Sequence, residues 1–401
     1  MTARFEPLDF EHFHREALPN RLRSGNGPLA AAGARHLGSL AFRRQEGGAY
    51  TYRPCETGIE ILPGDDADTV IELSDEIWQN IVNELDAAAG LLYGGRARCT
   101  TGKALAWLNW EPVLRAMFHG RPVYDPHEVR LPARGDGTLN PEQAFTPGDP
   151  REDMAHFLNT AGYLFVREVF TADEVAGFLA EAEELRREAR QGDKLSWWGK
   201  DREGRATLCR VTRAAAKPGL RSIPNDRRMR ALKDLAEEPL QHRVPPSSEE
   251  GVSVIFKQPE MREGLGDLPW HRDCGMGGHA IMCPSLVASV FLTASTPETG
   301  DLRMLPGSWK AGCAPIDADH VRAPLGARFA ANPGDVSLHY GDTMHAAPAP
   351  QEDGLDCYRI SAVTGYARPE SRPHRGRHYN EVLHRREDGQ IEHLSRMSKQ
   401  D

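Results

Sequence analysis

From residue 251 onward, the sequence consists of short β-forming runs that are separated by glycine and proline. The clearest runs are residues 252–256, 286–293, 336–340 and 358–366. Several short strands with turn residues between them are typical of a sandwich or a barrel. We therefore expect this part of the chain to fold around packed β-sheets.

The 401-residue chain divides into two units joined by a segment rich in glycine, proline and polar residues. The predicted boundaries are 1–130 for a first domain, 131–150 for a linker and 151–401 for a second domain with a C-terminal tail. The second domain opens with an apolar strand at 163–166. Thr171 and Glu174 then form a capping box that starts an amphipathic helix. The predicted fold class is α+β, with helices flanking the β-rich domain.

The first domain has the pattern of a smaller α/β fold. Residues 68–73 form a β-type run, and Ser74 stands where it would cap a helix that begins with Asp75 and Glu76. Apolar residues at helical spacing within 77–85 give that helix a buried face. No paired carboxylates, histidine–cysteine cluster or phosphate loop occurs in this domain, so we interpret it as an accessory folding or binding module.

Part of the first domain also carries a family resemblance. The stretch VIELSDEIWQNIVNELDAAAGLLYGGRARCTTGKALAWL, residues 70–108, resembles sterol-carrier-protein-type lipid domains. The shared pattern is a strand, a Ser-Asp helix start, a helix and a glycine-rich return. The resemblance implies an α/β module with an apolar groove.

Composition restricts the functions that are open to the chain. With 39% hydrophobic and 27% charged residues it is globular, and its net charge of −9 provides no general field for nucleic acid. The seven cysteines are scattered singly, which argues against a disulfide scaffold or a zinc ribbon. The sequence shows neither a secretory signal pattern nor eighteen consecutive apolar residues. We expect a cytoplasmic protein without a membrane span that acts on a small molecule; the sequence predicts no oligomeric state.

The motif Trp270-His271-Arg272-Asp273 is the first candidate for chemistry. A protein-kinase catalytic loop also contains His-Arg-Asp, but it requires asparagine five residues after the aspartate, where this chain has Gly278. The sequence also lacks Asp-Phe-Gly. Residues i and i+2 of a β-strand share a face, so His271 and Asp273 would project together and Arg272 away from them. The pair would supply two ligands of a 2-His-1-carboxylate iron(II) site.

The third ligand should come from a distant strand. The segment 334–345 offers His339, inside the predicted strand, and His345, after the turn that follows it. We prefer His345 because Arg359 and Ser361 come next and share one face of a strand. A guanidinium beside a hydroxyl suits a terminal carboxylate, such as the far end of 2-oxoglutarate. The three open positions of the triad would then serve this chelating cosubstrate and dioxygen.

From about residue 153 to residue 368, the sequence resembles the phytanoyl-CoA dioxygenase family of iron(II)/2-oxoglutarate oxygenases. The matching pieces, in order, are GYLFVREVFTADEV, His271-Arg272-Asp273, GDLRMLPGS, His345 and Arg359. The resemblance implies a double-stranded β-helix, or jelly roll, with His271, Asp273 and His345 as iron ligands. It implies that Arg359, with Ser361, binds the 5-carboxylate of 2-oxoglutarate. Dioxygen and 2-oxoglutarate would be consumed, with release of succinate and carbon dioxide.

Two positions can be compared with the family pattern, and one of them bears on the type of reaction. Trp309 stands where the family commonly has histidine after Pro-Gly-Ser, outside the triad. Asp273 is retained, whereas related halogenases lack this carboxylate, so the resemblance favours hydroxylation or another oxidation over halogenation. The expected reaction is hydroxylation of a small organic substrate, lipid-like or a secondary metabolite. A desaturase, an epoxidase or a rearranging oxidase on the same iron centre remains an alternative. A second alternative is a non-catalytic lipid- or metabolite-binding protein in which the first domain does the work.

Several other residues are candidates for ligand contacts. Lys257, Gln258 and Trp270 flank the predicted site and would contact cosubstrate or substrate, with packing as the alternative. Trp197 and Trp198 would line a substrate mouth or pack.

Arg210 lies in a basic segment, residues 200–233. This segment holds eleven basic and three acidic residues, a local net charge of +8. It could receive an anionic substrate or a coenzyme A phosphate, or it could be a solvated face with internal ion pairs. Histidines outside the motifs are expected in a loop or at the surface: His279, His320, His374, His378, His384 and His393.

Overall fold

The computed structural model describes residues 7–369, apart from 57, 260, 262–263, 267, 277–284, 314–325 and 351–357. Within the described residues, no helix combines the length and apolar character needed to cross a membrane.

The first unit is an α/β fold around a mixed sheet. Its helices are α1 (Phe10–His12), α2 (Leu18–Arg21), α3 (Gly27–Ala34), α4 (Asp75–Val82), α5 (Ala88–Tyr93) and α6 (Ala104–His119), with π-helical turns at Phe13–Ala17 and Leu22–Asn26. Its strands are β1 (Leu40–Arg44), β2 (Ala49–Cys55), β3 (Gly58–Pro63), β4 (Thr69–Leu73) and β5 (Arg98–Thr101). The strand order is β3-β2-β1-β4-β5, with β1 and β4 parallel and the other neighbours antiparallel.

The predicted strand and capped helix of this unit are both present. The Ser74 hydroxyl accepts a hydrogen bond from the Ile77 amide at the start of α4, which satisfies a donor that has no partner within the helix. The helices bury aromatic rings against the sheet, and Trp78, Trp107 and Trp110 are each at most 1% exposed. Burial of such side chains stabilises the unit by about 1.5–3 kcal/mol each. Aromatic side chains thus fill the space between helices and sheet.

The second unit combines helices with mostly antiparallel strands. The helices are α7 (Arg151–Ala161), α8 (Ala172–Glu188), α9 (Pro218–Ser222) and α10 (Arg227–Lys233). The strands are β6 (Ala144–Phe145), β7 (Tyr163–Val166), β8 (Ser196–Lys200), β9 (Ala206–Val211), β10 (Gln241–His242), β11 (Val252–Lys257), β12 (Leu268–His271), β13 (Ser285–Phe291), β14 (Leu302–Met304), β15 (Ala327–Phe329), β16 (Val336–Tyr340), β17 (His345–Ala347) and β18 (Arg359–Ala367).

These strands form two sheets. The large sheet has the order β6-β7-β16-β13-β18-β11-β9-β8, with β10 also paired to β18, and the small sheet has the order β12-β17-β14-β15. The sheets share one core: Phe165 on β7 stacks on Phe329 of β15 with ring centroids 4.4 Å apart. Helix α8 begins with the predicted capping box, in which Thr171 and Glu174 bond reciprocally. The fold is therefore mixed α and β, and its two packed sheets are consistent with the predicted jelly roll.

The segment predicted to be a linker is partly packed against the second unit. Strand β6 pairs in parallel with β7, and Phe145 is only 4% exposed. Tyr163 donates its hydroxyl hydrogen to the Pro141 carbonyl at 2.7 Å. Apolar residues spaced among the glycines and prolines of 131–150 thus dock on the large sheet, and the domain boundaries stay a prediction.

Candidate metal centre

Neighbouring strands of the small sheet bring the two predicted histidine ligands together. His271 ends β12 and His345 begins β17, and the two residues are paired in the antiparallel register. Their imidazole centroids lie 4.2 Å apart, and each residue is 5% exposed. With the Asp273 carboxylate, these side chains offer three ligand atoms that all lie within 4.8 Å of one another. The structure therefore gathers the three residues from segments about 70 positions apart.

Asp273 reaches this group by a route that differs from the prediction. Strand β12 stops at His271, and Asp273 begins a 3₁₀ turn, Asp273–Met276. The two side chains converge because the chain turns. The predicted convergence is observed, but the predicted strand geometry at Asp273 is wrong. Arg272 does point away from the group, but it is 5% exposed and ion-paired rather than solvated.

Backbone hydrogen bonds fix the tautomers of both candidate histidines. His271 Nδ1 lies 2.8 Å from the Pro269 carbonyl, and His345 Nδ1 lies 3.0 Å from the Thr343 carbonyl. A carbonyl only accepts, so each Nδ1 carries the hydrogen and each Nε2 keeps its lone pair. Burial lowers the pKa of His271 and lowers the pKa of His345 well below its usual value. Both imidazoles are thus neutral at pH 7, in the form that binds a metal.

The carboxylate is also held in its ligating form. Desolvation opposes ionisation of Asp273, but the His345 imidazole and the hydrogen bond from His339 hold the pKa of this carboxyl well below its usual range. His339 Nε2 lies 3.1 Å from Asp273 Oδ2, whereas Oδ1 lies 3.8 Å from His345 Nε2 and 3.9 Å from His271 Nε2. The two oxygens have different neighbours, and Oδ1 is the one turned toward both ligand nitrogens.

A buried guanidinium lies at the end of β18. Arg359 is 5% exposed, and its Nη1 donates to the Gly300 carbonyl at 2.7 Å and to Ser295 Oγ at 3.4 Å. Its Nε is buried without a hydrogen-bond partner among the described residues. Burial lowers the pKa of Arg359 to about 10, only partly opposed by Asp301. A buried cation with an unused donor and no carboxylate ion pair in the described part of the chain fits a bound anion.

Lys257 and Gly300 lie directly beside the Arg359 guanidinium. Lys257 pairs with Arg359 across β11 and β18, is 0% exposed, and donates to the Ala347 carbonyl of β17. This bond joins the large sheet to the strand that begins with His345. Gly300 has φ +76°, and a Cβ there would meet the Lys257 side chain at 2.6 Å. Ser361 lies two residues after Arg359 on the same face of β18 and is 4% exposed.

The other predicted contact residues are mostly packed. Trp270 is 5% exposed and packs with Tyr124 and Met344, among others. The Gln258 amide donates to the Leu208 carbonyl. Trp197 is 2% exposed, in a small cluster with Cys209 and Met261, and Trp198 donates its indole hydrogen to Ser196. Arg210 lies 4.8 Å over the Trp197 ring and donates to Ser253 Oγ. The observed contacts favour the packing alternative for these residues.

Much of the basic segment is neutralised by ion pairs. Arg228 pairs with Glu174 and Asp226, and Lys217 pairs with Glu184 and Glu188. Further pairs join Arg205 to Asp201 and Glu203, Arg213 to Glu249, and Lys233 to Asp234. These ion pairs favour the interpretation of the basic segment as a solvated face with internal pairs over its interpretation as an anion-binding site.

Three residues near the centre make contacts that the sequence did not predict. His339, the alternative candidate for the third ligand, contacts Asp273. Ser308 Oγ accepts the Met344 amide hydrogen at 2.8 Å and so fixes the segment before His345. Asp342 pairs with arginines of both units. The Pro-Gly-Ser motif was a usable signal for Ser308, whereas Asp342 carries no local signal. The histidines predicted in a loop or at the surface (279, 320, 374, 378, 384 and 393) lie outside the described residues.

Trp309, the departure from the family pattern, is a packing residue. Its ring stacks on Tyr340 with centroids 4.1 Å apart. A Cβ at Gly162 would approach the Trp309 ring at 2.4 Å, so this glycine makes room for the indole. The substitution therefore leaves the three candidate ligands in place.

Comparisons with known proteins agree with the chemistry of this centre. Residues 158–352 match the family model of phytanoyl-CoA dioxygenase. No curated protein matches the chain.

Among solved structures, AviO1 from Streptomyces viridochromogenes Tue57 is 22% identical, with a TM-score of 0.43 over 56% of this chain and 98% of that chain. The epimerase SnoN, in complex with Fe3+, alpha ketoglutarate and nogalamycin RO, is 23% identical, with a TM-score of 0.43 over 56% of this chain and 85% of that chain. EctD from S. alaskensis, with 2-oxoglutarate and 5-hydroxyectoine, is 20% identical, with a TM-score of 0.43 over 61% of this chain and 84% of that chain.

The matched residues include the whole histidine–aspartate group, and its neutral imidazoles and ionised carboxylate are the donor set that iron(II) prefers in oxygenases. Residues 158–352 therefore match the phytanoyl-CoA dioxygenase family, and the protein is an iron(II)/2-oxoglutarate-dependent oxygenase.

Proposed function

We propose that this protein hydroxylates a small organic substrate, lipid-like or a secondary metabolite, at an iron centre held by His271, Asp273 and His345. The observation that carries the proposal is the group of three ligand atoms within 4.8 Å, with both histidine tautomers fixed for coordination through Nε2. Iron(II) bound there would couple the oxidative decarboxylation of 2-oxoglutarate by dioxygen to oxidation of the substrate. The overall reaction consumes substrate, dioxygen and 2-oxoglutarate and yields hydroxylated product, succinate and carbon dioxide.

The residues of this chain have separate tasks in that reaction. His339 donates to Asp273 Oδ2, which leaves Oδ1 as the ligand oxygen and keeps the carboxylate from turning. Arg359, with Ser361 beside it, binds the 5-carboxylate of 2-oxoglutarate and so orients the cosubstrate. This role is supported by the buried, unused Nε of the guanidinium. Lys257 closes the base of the site by joining the two sheets.

The fold of the second unit, the resemblance of the first unit and the type of oxidation are also open to proposals. We propose that the two sheets form the jelly roll implied by the family, which is supported by their common core. The lipid-carrier resemblance of residues 70–108 stays a prediction. Retention of Asp273 favours hydroxylation over halogenation, and product analysis with a turned-over substrate distinguishes hydroxylation from desaturation, epoxidation or rearrangement.

The test is succinate formation from 2-oxoglutarate, dependent on added iron(II), together with binding of the metal. His271→Ala and Asp273→Ala should each abolish both, because each removes one of three ligands. His156→Ala is the matched control, since this histidine on α7 donates to the Pro132 carbonyl in an exposed contact and does not belong to the group of ligand atoms. Wild-type turnover in both ligand variants would show that the metal assignment is wrong.

A further inference from the structure

The two segments that carry the candidate ligands each turn one charged side chain toward the first unit. Arg272 stands between His271 and Asp273, and Asp342 stands three residues before His345. Arg272 Nη1 lies 3.4 Å from Asp342 Oδ1, so the segments are tied to each other behind the centre. Both side chains are at most 10% exposed.

Helix α6 of the first unit meets this pair with complementary charges. Glu111 Oε1 lies 3.3 Å from Arg272 Nη2, and Arg115 Nη2 lies 3.2 Å from Asp342 Oδ2. Arg115 also binds Glu84, 2.7 Å away. Burial disfavours the charge on Arg115, but Asp342 and Glu84 hold the pKa of this guanidinium well above its usual value.

Arg121 completes the group. It contacts Asp342 at 3.3 Å and Glu84 at 3.5 Å. We call these six residues the interface ion cluster: Glu84, Glu111, Arg115, Arg121, Arg272 and Asp342. The cluster has three positive and three negative side chains, so its charges balance inside the protein.

A second contact of the first unit reaches the same two segments from another side. The Tyr124 ring packs in one cluster with Trp270 and Met344, the residues directly before His271 and His345. Its hydroxyl donates to the Pro306 carbonyl at 3.0 Å, and its amide donates to the Gly312 carbonyl at 2.7 Å. Both ligand segments thus rest on the first unit through an ionic and an apolar contact.

We propose that Glu111 and Arg115 are positioning residues for the metal centre, and that the first unit serves to hold the two ligand segments in register through Arg272 and Asp342. This inference rests on the proposed metal role of His271, Asp273 and His345. Its physical basis is that Arg272 and Asp342 are buried charges one to three residues from a ligand. Losing Glu111 or Arg115 would leave the buried cluster with an unbalanced charge, and the segment would shift to reach water. A shift of that kind misplaces the ligands without removing any of them.

The experiment uses the full chain and cobalt(II), whose visible absorption reports the geometry of its ligands. Glu111→Gln and Arg115→Met should each raise the Kd for cobalt(II) by about 10- to 100-fold, the usual cost of losing support behind a metal ligand. The visible spectrum of bound cobalt(II) should change in the same variants.

Arg43→Met is the matched control. Arg43 forms ion pairs with Asp65 and Glu72 within the first unit, so its loss weakens that unit without touching the cluster. Cobalt(II) affinity should be unchanged in this variant. If Arg115→Met does not fold, the near-isosteric Glu111→Gln decides alone.

The outcomes separate this inference from the proposed function. Unchanged cobalt(II) affinity and spectrum in Glu111→Gln would overturn the positioning role, provided that His271→Ala loses the metal. If His271→Ala also retains cobalt(II), the metal assignment itself fails. An equal loss of affinity in Arg43→Met would mean that general destabilisation is the cause, and would equally overturn the positioning role.

Discussion

Single hydrogen bonds decide what each polar residue near the centre can do. The carbonyls of Pro269 and Thr343 fix the histidine tautomers, so that both Nε2 atoms face the shared space. His339, chemically identical to the two candidate ligands, is directed to Asp273 Oδ2 instead. Residue type therefore defines which groups can bind a metal, and local hydrogen bonding selects which ones do.

Arg359 gives the sharpest prediction at the residue scale. Replacement with alanine should raise the KM for 2-oxoglutarate by about 10- to 100-fold, because a charge-assisted hydrogen bond of about 1.5–3 kcal/mol is lost. The turnover number at saturating 2-oxoglutarate should fall much less. Steady-state kinetics with varied 2-oxoglutarate check this.

Arg328→Ala serves as the control for the loss of a nearby cation. Arg328 pairs with Asp301, the same acid that acts on Arg359, but it lies 37% exposed on β15. Its KM for 2-oxoglutarate should stay at the wild-type value. An unchanged KM in Arg359→Ala would remove Arg359 from the cosubstrate site.

Among the structural elements, the first helical segment depends on a buried neutral histidine. His14 Nδ1 donates to the Phe10 carbonyl, and its Nε2 accepts from the Tyr52 hydroxyl, each at 2.7 Å. The ring also stacks on Tyr50 with centroids 4.3 Å apart. Burial lowers the pKa of His14 from 6.5 to about 4, while Glu11 and Arg44 act in opposite directions. This histidine docks the helical segment on β2 only while it is uncharged.

Acid should therefore weaken the first unit. A base with a lowered folded-state pKa binds fewer protons when folded than when unfolded, so stability falls as pH drops below 6.5. Between pH 7 and pH 5, this histidine should cost about 2 kcal/mol of unfolding free energy. Urea unfolding at pH 7 and at pH 5 measures this difference in unfolding free energy. In His14→Gln, the difference should be smaller by the contribution of the histidine. An identical pH dependence in wild type and variant would contradict the assignment.

The strands and turns were predictable to different degrees. Strand β7, the capping box of α8 and strand β16 match their sequence patterns, since each depends on apolar period and local hydrogen bonding. Strand β12 ended two residues earlier than the motif argument required. Its end depends on pairing with β17, a segment more than 70 residues away, which no local pattern encodes.

For the whole molecule, the interface ion cluster implies that the two units share their stability. Breaking a buried pair by removing one partner costs about 3–5 kcal/mol, which is a large fraction of the stability of a typical domain. The cluster therefore joins the unfolding of the first unit to the state of the metal centre.

Metal and cosubstrate should stabilise both units together. At 100 times the Kd, a ligand that binds only the folded state adds about 2.7 kcal/mol. Cobalt(II) with 2-oxoglutarate, without dioxygen, should raise the Tm of wild type and slow amide hydrogen exchange in α6 of the first unit. His271→Ala should show neither effect. Protection confined to the second unit would contradict the coupling.

The sequence by itself determined the chemistry that is available and the local elements. The sequence contains the types and the order of His271, Asp273, His345 and Arg359 directly. The helix caps and the strand runs are encoded within a few neighbouring residues. The tertiary structure decided how those groups are used. A 3₁₀ turn directs Asp273 toward the candidate histidine ligands, and His339 forms a hydrogen bond with the Asp273 carboxylate. Trp197 and Trp270 are buried by packing.

The clearest case is Arg272. The sequence predicted only that its side chain points away from the ligands. Its partners Glu111 and Asp342 are distant in the chain, and the contact with Glu111 exists only when both units are folded. The physical reason is that periodicity and capping act over a few residues. Burial, charge pairing and hydrogen-bond competition depend on which remote side chains share the same desolvated space.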